Sequence, residues 1–178
     1  MTTVQSETTH REKHVAHPAF KADEQFAAHL QQLLVDLTDL ALQGKQAHWN
    51  VVGPNFRDMH LQLDEIVDAA REFGDDIAER MRATYVVPDG SAARVAKDTT
   101  LPPFPTGEVA VSEVVDRISA SLYAVVGTAR RIHDEVDAAD PTTADMLHEI
   151  TERLEQLAWF VDAENRTAGH SVPASIIA

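Results

Sequence analysis

Four side chains able to ligate metal ions, His60, Asp64, Asp75 and Glu79, fall on one stripe of a single predicted helix. At about 100° per residue, His60 and Asp64 are one turn apart, as are Asp75 and Glu79. The 11 residues from Asp64 to Asp75 bring the helix back to within about 20° of the same face. With a rise of roughly 1.5 Å per residue, however, Asp64 and Asp75 are about 16 Å apart along the axis, too far to share one metal centre within one chain. Two such helices crossing antiparallel about a two-fold axis would bring the His60/Asp64 end of one against the Asp75/Glu79 end of the other and form two equivalent sites. The spacing therefore predicts a dimer as the smallest competent unit.

Composition narrows the chemistry. The chain has 178 residues, 44% hydrophobic, with 7 Gly and 8 Pro, enough for one well-packed helical domain. With no cysteine, disulfides and thiolate metal sites are excluded, leaving imidazole and carboxylate as ligands, a set that suits iron, manganese or zinc. No apolar run approaches the ~20 residues of a membrane span, and residues 1–22 contain no apolar segment of a secretory signal, so a soluble cytoplasmic protein is expected. A formal charge of −14 opposes a broad nucleic-acid surface and suits the attraction of cations.

Residues 1–22 lack apolar periodicity and carry His10, His14 and His17; they are expected to form a mobile N-terminal tail. From Asp23, a predicted N-cap, Phe26, Leu30, Leu33, Leu34, Leu37, Leu40 and Ala41 recur at helical spacing toward His48 and Trp49. Val51 to Asn55 break this first helix, and Phe56 to Thr84 form the second, packed antiparallel to the first because the turn is short. A long crossover from Tyr85 to about Val111 contains Pro88, Pro102, Pro103 and Pro105, with a short helix expected over 91–97 capped by Ser91. A third helix is predicted over 112–136, with Val115, Ile118, Leu122, Val125, Val126, Ala129 and Ile132 inward. The fourth starts after Asp140-Pro141, with Thr142 or Thr143 near its cap, and runs to about Arg166; residues 167–178 are a short C-terminal tail. The expected fold is all-α: a four-helix bundle over 23–166 with a short helix in the long connection between its second and third helices.

The run KQAHWNVVGPNF at 45–56, followed by MHLQLDE and GDDIAER, resembles the Dps family, the miniferritins named "DNA-binding protein from starved cells". The family's ferroxidase pattern places His, His, Asp, Asp and Glu with 11, 3, 10 and 3 residues between them. It falls without a gap on His48, His60, Asp64, Asp75 and Glu79. TADML at 143–147 and LAWFV at 157–161 are similar to the family's last helix.

The resemblance implies a ferritin-like fold, a hollow shell of twelve subunits and ferroxidase centres at two-fold interfaces. It further implies that Asp75 and Glu79 hold a first Fe(II) together with the partner subunit's His48. The partner subunit's His60 and Asp64 then complete a weaker second iron position. Two neighbouring irons can deliver two electrons to hydrogen peroxide without releasing hydroxyl radical, and the ferric product is stored in the shell. Trp49, beside a ligand, is similar to a family tryptophan thought to quench stray oxidising equivalents. Asp145 and Glu149, one turn apart, correspond to the region of the family's acidic three-fold pore, with Asp140 a nearby candidate.

Each of these residues has a plainer role open to it. Taken singly, His60 is a surface or hydrogen-bonded histidine, Asp64, Asp75 and Glu79 an ordinary solvated face, and Trp49 a core or interface aromatic; the joint register sets the five ligands apart. The Glu-x-x-His pairs of an iron site inside one bundle have a single instance here, Glu7 to His10, in the predicted tail. No zincin motif, phosphate-binding loop or nucleophile elbow is present. The competing expectation is a DNA-compacting nucleoid protein with incidental iron chemistry. Against it, Arg11, Lys13 and Lys21 barely outnumber Glu7 and Glu12 in the first tail, and 167–178 contains no Lys or Arg. Twelve chains of charge −14 would repel phosphate at neutral pH, so DNA binding is expected to be weak or absent there.

Overall fold

A computed structural model describes residues 20–167. Asp23 opens helix α1 (Glu24–Asn50) by accepting a hydrogen bond from the Phe26 N–H at 2.8 Å, satisfying one of the free donors of the first turn. The apolar face from Phe26 to Ala41 is buried as its spacing predicts. Two residues of strand, β1 (Val51–Val52), and a turn follow. Gly53 sits at φ 112° and Asn55 at φ 59°, positive values that glycine and asparagine tolerate best. Helix α2 (Phe56–Ala83) then runs back along α1. The antiparallel register is visible in paired positions: His48 meets His60, Gly44 meets Val67, Leu37 meets Gly74, and the Ala22 N–H donates to the Thr84 carbonyl.

Gly44 marks the tightest approach of the two helices. A Cβ there would lie 2.7 Å from Cγ2 of Val67, a stiff β-branched side chain. Close packing at this point sets the spacing of α1 and α2 one turn before His48.

The crossover carries helix α3 (Ala92–Asp98), capped by Ser91, and ends in β2 (Val109–Ala110), which pairs in parallel with β1. It is fastened to α1 by a buried carboxylate. Asp36 accepts hydrogen bonds from the Thr100 N–H and hydroxyl, both at 2.9 Å, from the Thr128 hydroxyl at 2.8 Å and from Gln32 at 3.0 Å. Four donors offset the cost of burying the charge. Helices α4 (Val111–Ala139) and α5 (Pro141–Glu164) form the second hairpin, and all seven inward residues expected on α4 are buried. The architecture is an all-α, ferritin-like bundle with a short helix in its long crossover.

The structure differs from the sequence expectations at three places. Phe20 and Ala22, assigned to the tail, pack against the core, with the Phe20 and Phe26 rings 5.0 Å apart edge to face; an apolar residue one turn before the helix finds an aromatic partner. The rest of both predicted tails, 1–19 and 168–178, lies outside the described residues. Helix α5 starts at Pro141 itself, with Asp140 as its N-cap and Thr143, expected near the cap, donating its hydroxyl to the Asp140 carboxylate. The two-residue strands escaped the sequence reading because the backbone pairing joins segments from opposite ends of α2 and the crossover. Among the described residues, no helix is long and apolar enough to cross a membrane.

Candidate metal centre

At the end of α1 and the start of α2, two imidazoles stack face to face with centroids 3.6 Å apart and planes 23° from parallel. The His48 Nδ1–H donates to the His60 carbonyl at 2.9 Å, and the His60 Nδ1–H donates to the His48 carbonyl at 3.0 Å. A carbonyl oxygen only accepts, so this reciprocal pair assigns the proton to Nδ1 in each neutral ring and leaves the lone pair on Nε2. Fixing a histidine through its other nitrogen is how proteins orient imidazole ligands.

Asp64, one turn beyond His60, completes this group. Its Oδ1 lies 3.2 Å from His48 Nδ1 and 2.5 Å from Lys45 Nζ. The Lys45 hydrogen bond is the main reason that the Asp64 carboxyl is held below its ordinary pKa of 3.8; partial burial opposes this, and the two histidines add to it. Lys45 was missed as a member of the site by the sequence reasoning, although its position one turn before His48 on the same helix face was a usable signal.

Asp75 and Glu79 lie on the same helix, exposed and about three turns further on. The structure thus brings His48, His60 and Asp64 together and keeps Asp75 and Glu79 apart from them. Among the described residues of one chain, no group of three or more His, Asp or Glu side chains is arranged to hold an ion. Between the two ends runs an open groove of about 500 Å³ along α1 and α2, bordered by Leu42, Lys45, Trp49, Ala70 and Asp75. Trp49 is 70% exposed and Leu42 56%, so Trp49 is not a core aromatic.

The acidic residues at the start of α5 divide. Asp145 and Glu149 are both exposed and one turn apart. Asp140 is buried and accepts hydrogen bonds from the Arg80 guanidinium and, at 2.5 Å, from the Thr143 hydroxyl; Arg80 Nε also donates to that hydroxyl at 2.8 Å. Burial raises the Asp140 pKa, but the bonds from Thr143 and Arg80 outweigh it and the net displacement is downward. Asp140 therefore anchors α5 to α2 through Arg80, the neighbour of Glu79.

Comparison with known proteins places this geometry among relatives. The Ferritin-like domain model matches residues 27–167. A DNA protection during starvation protein of Agrobacterium fabrum is 35% identical over 135 residues, covering 75% of this chain and 83% of that protein. The fine tangled pili major subunit of Haemophilus ducreyi is 37% identical over 134 residues, 75% of this chain and 71% of that protein. A Mycobacterium smegmatis Dps in a tetragonal crystal form superposes with a TM-score of 0.78 at 30% identity, covering 83% of this chain and 91% of that one.

Proposed function

This chain belongs to the Dps family of ferritin-like proteins, and from that premise we propose that it is a ferroxidase and iron-storage protein that oxidises Fe(II), preferably with hydrogen peroxide, at sites shared between two subunits of a twelve-subunit shell. The observation that carries this is the splitting of five well-suited side chains into two groups along α2, with His48 of α1 beside the first. His48, His60 and Asp64 form an ordered cluster at one end, and the exposed carboxylates Asp75 and Glu79 stand at the other. A second copy laid antiparallel across the groove would complete both ends at once. The apolar lining of that groove, including exposed Leu42, and the exposed indole of Trp49 favour burial against a partner.

Iron is substrate here. Imidazole Nε2 favours the ferrous ion, while the carboxylates of Asp75 and Glu79 tolerate both the ferrous ion and its ferric product. Two Fe(II) each give one electron to one hydrogen peroxide, whose O–O bond breaks to yield two hydroxide ions and two Fe(III). Pairing the electrons avoids a one-electron product, hydroxyl radical. Because Lys45 already occupies Asp64, the second iron position, built on His60 and Asp64, is the weaker one. Asp145 and Glu149 are placed in this proposal at the iron entrance, where the chain's net charge of −14 raises the local cation concentration. Trp49 is assigned the capture of stray oxidising equivalents. Protection of DNA then comes from removing iron and peroxide rather than from contact with DNA.

The test is anaerobic loading of the metal-free protein with Fe(II) followed by peroxide, read by absorbance and oxidant consumption. Rapid oxidation at about one peroxide per two Fe(II), lost in His48→Ala and Glu79→Ala while the assembly persists, is the expected result. Oxidation no faster than iron in buffer would reject a ferroxidase role and favour the DNA-compacting alternative.

A further inference from the structure

On the other helix hairpin a second pair of histidines is stacked. His133 of α4 and His148 of α5 have ring centroids 4.5 Å apart and planes 29° from parallel. They border a cavity of about 300 Å³ together with Arg130, Asp134 and Thr151. His133 Nδ1 lies 3.1 Å from an Asp134 carboxylate oxygen, which can only accept, so in the neutral ring the proton is on Nδ1 and the lone pair on Nε2. That Nε2 is buried and has no hydrogen-bond partner among the described residues. A buried polar atom left unpaired is destabilising until water or an ion satisfies it.

We propose that His133 and His148 form a binding site for a borderline-soft divalent cation such as Zn²⁺ or Cu²⁺, oriented by Asp134 and separate from the His48/His60 cluster. A carboxylate on one imidazole nitrogen with the lone pair of the other directed away is the arrangement found around histidine metal ligands. Two imidazole nitrogens bound to one ion at about 2.1 Å each lie no more than about 4.2 Å apart. Ring centroids 4.5 Å apart keep both imidazoles close to one point, and rotation about χ2, a soft torsion in histidine, turns their nitrogens toward a shared ion. Arg130, the cationic side chain in the cavity lining, has its charge countered by Glu155, whose carboxylate pairs with the guanidinium at 2.5 Å. Water completes the coordination, and the acids Asp145 and Glu152, three residues before and four after His148 on α5, add to the attraction. Imidazole ligands with water favour Zn²⁺ and Cu²⁺ over the harder Mg²⁺ and Ca²⁺.

The experiment counts Zn²⁺ bound per chain by equilibrium dialysis of the full-length metal-free protein, comparing the wild type with His133→Ala, His148→Ala and the double variant. One shared site predicts that each single substitution removes one equivalent and that the double removes the same one. His148→Phe keeps a ring to stack on His133 but has no nitrogen, and should lose that equivalent with the assembly intact. An unchanged count in the single variants, a loss of two equivalents in the double, or full binding by His148→Phe would overturn the proposal.

Discussion

Lys45 is the residue whose effect the geometry specifies most sharply. Its ammonium sits 2.5 Å from an oxygen that a metal at the second position would need. Lys45→Met keeps the aliphatic stem and frees that oxygen, so Fe(II) binding at the weaker position should tighten severalfold, measured by anaerobic titration. Unchanged affinity would mean that Asp64 takes no part in binding. Asp140 gives a pH prediction. Its pKa lies below the ordinary 3.8 in the folded chain, so its contribution to stability is full above about that value and is lost as pH falls through the folded pKa. Asp140→Asn should therefore lower the melting temperature at pH 7 but narrow its gap to the wild type as pH falls below 3.8, followed by thermal denaturation. That His60, Asp64, Asp75 and Glu79 share one stripe was legible in the sequence because all four lie on one helix, where angular position follows from residue number, whereas His48 joined the proposed ligands only through the family pattern. The Asp140–Arg80–Thr143 triangle was not, since its members are 60 and 63 residues apart and only packing brings them together.

Among the helices, α1 carries the most constraint. Gly44 permits the approach of α2 that lets His48 and His60 exchange hydrogen bonds with each other's backbone. Alanine there would improve helix propensity by about 1 kcal/mol but would drive a methyl into Val67, and overpacking of this kind costs about 1–3 kcal/mol. A net loss of stability together with slower iron oxidation is expected for Gly44→Ala, from denaturation and stopped-flow absorbance; a stabilised, fully active variant would refute the close-packing account. Asp36→Ala should be more severe. It leaves the Thr128 hydroxyl and both Thr100 donors without their carboxylate, at a cost on the order of 3 kcal/mol, and loosens the crossover. The apolar faces of α1 and α4 were legible from their 3.6-residue repeat. The role of Asp36 was not, because one aspartate on an apolar face gives no local sign of donors 64 and 92 residues away.

For the whole molecule, the consequences follow from charge and assembly. The net charge of −14 per chain predicts weak DNA retention at neutral pH in a mobility-shift assay. Protonation of His10, His14 and His17 below pH ~6.5 should strengthen it at pH 5.5, and equal binding at pH 5.5 and 7.5 would reject that switch. The expectation of a site shared by two subunits comes from the 11-residue step between Asp64 and Asp75 alone, whereas twelve subunits are implied only by family resemblance. Whether the iron site is shared between chains is tested most directly by complementation. His48→Ala and Glu79→Ala chains, each inactive as a homo-oligomer, are mixed, dissociated and reassembled. If the site is shared, half the pairs are mixed and each holds one intact site of two, so about a quarter of wild-type peroxide-dependent Fe(II) oxidation should return. A mixture as inactive as its two parents, with shells of normal size, would contradict the shared site.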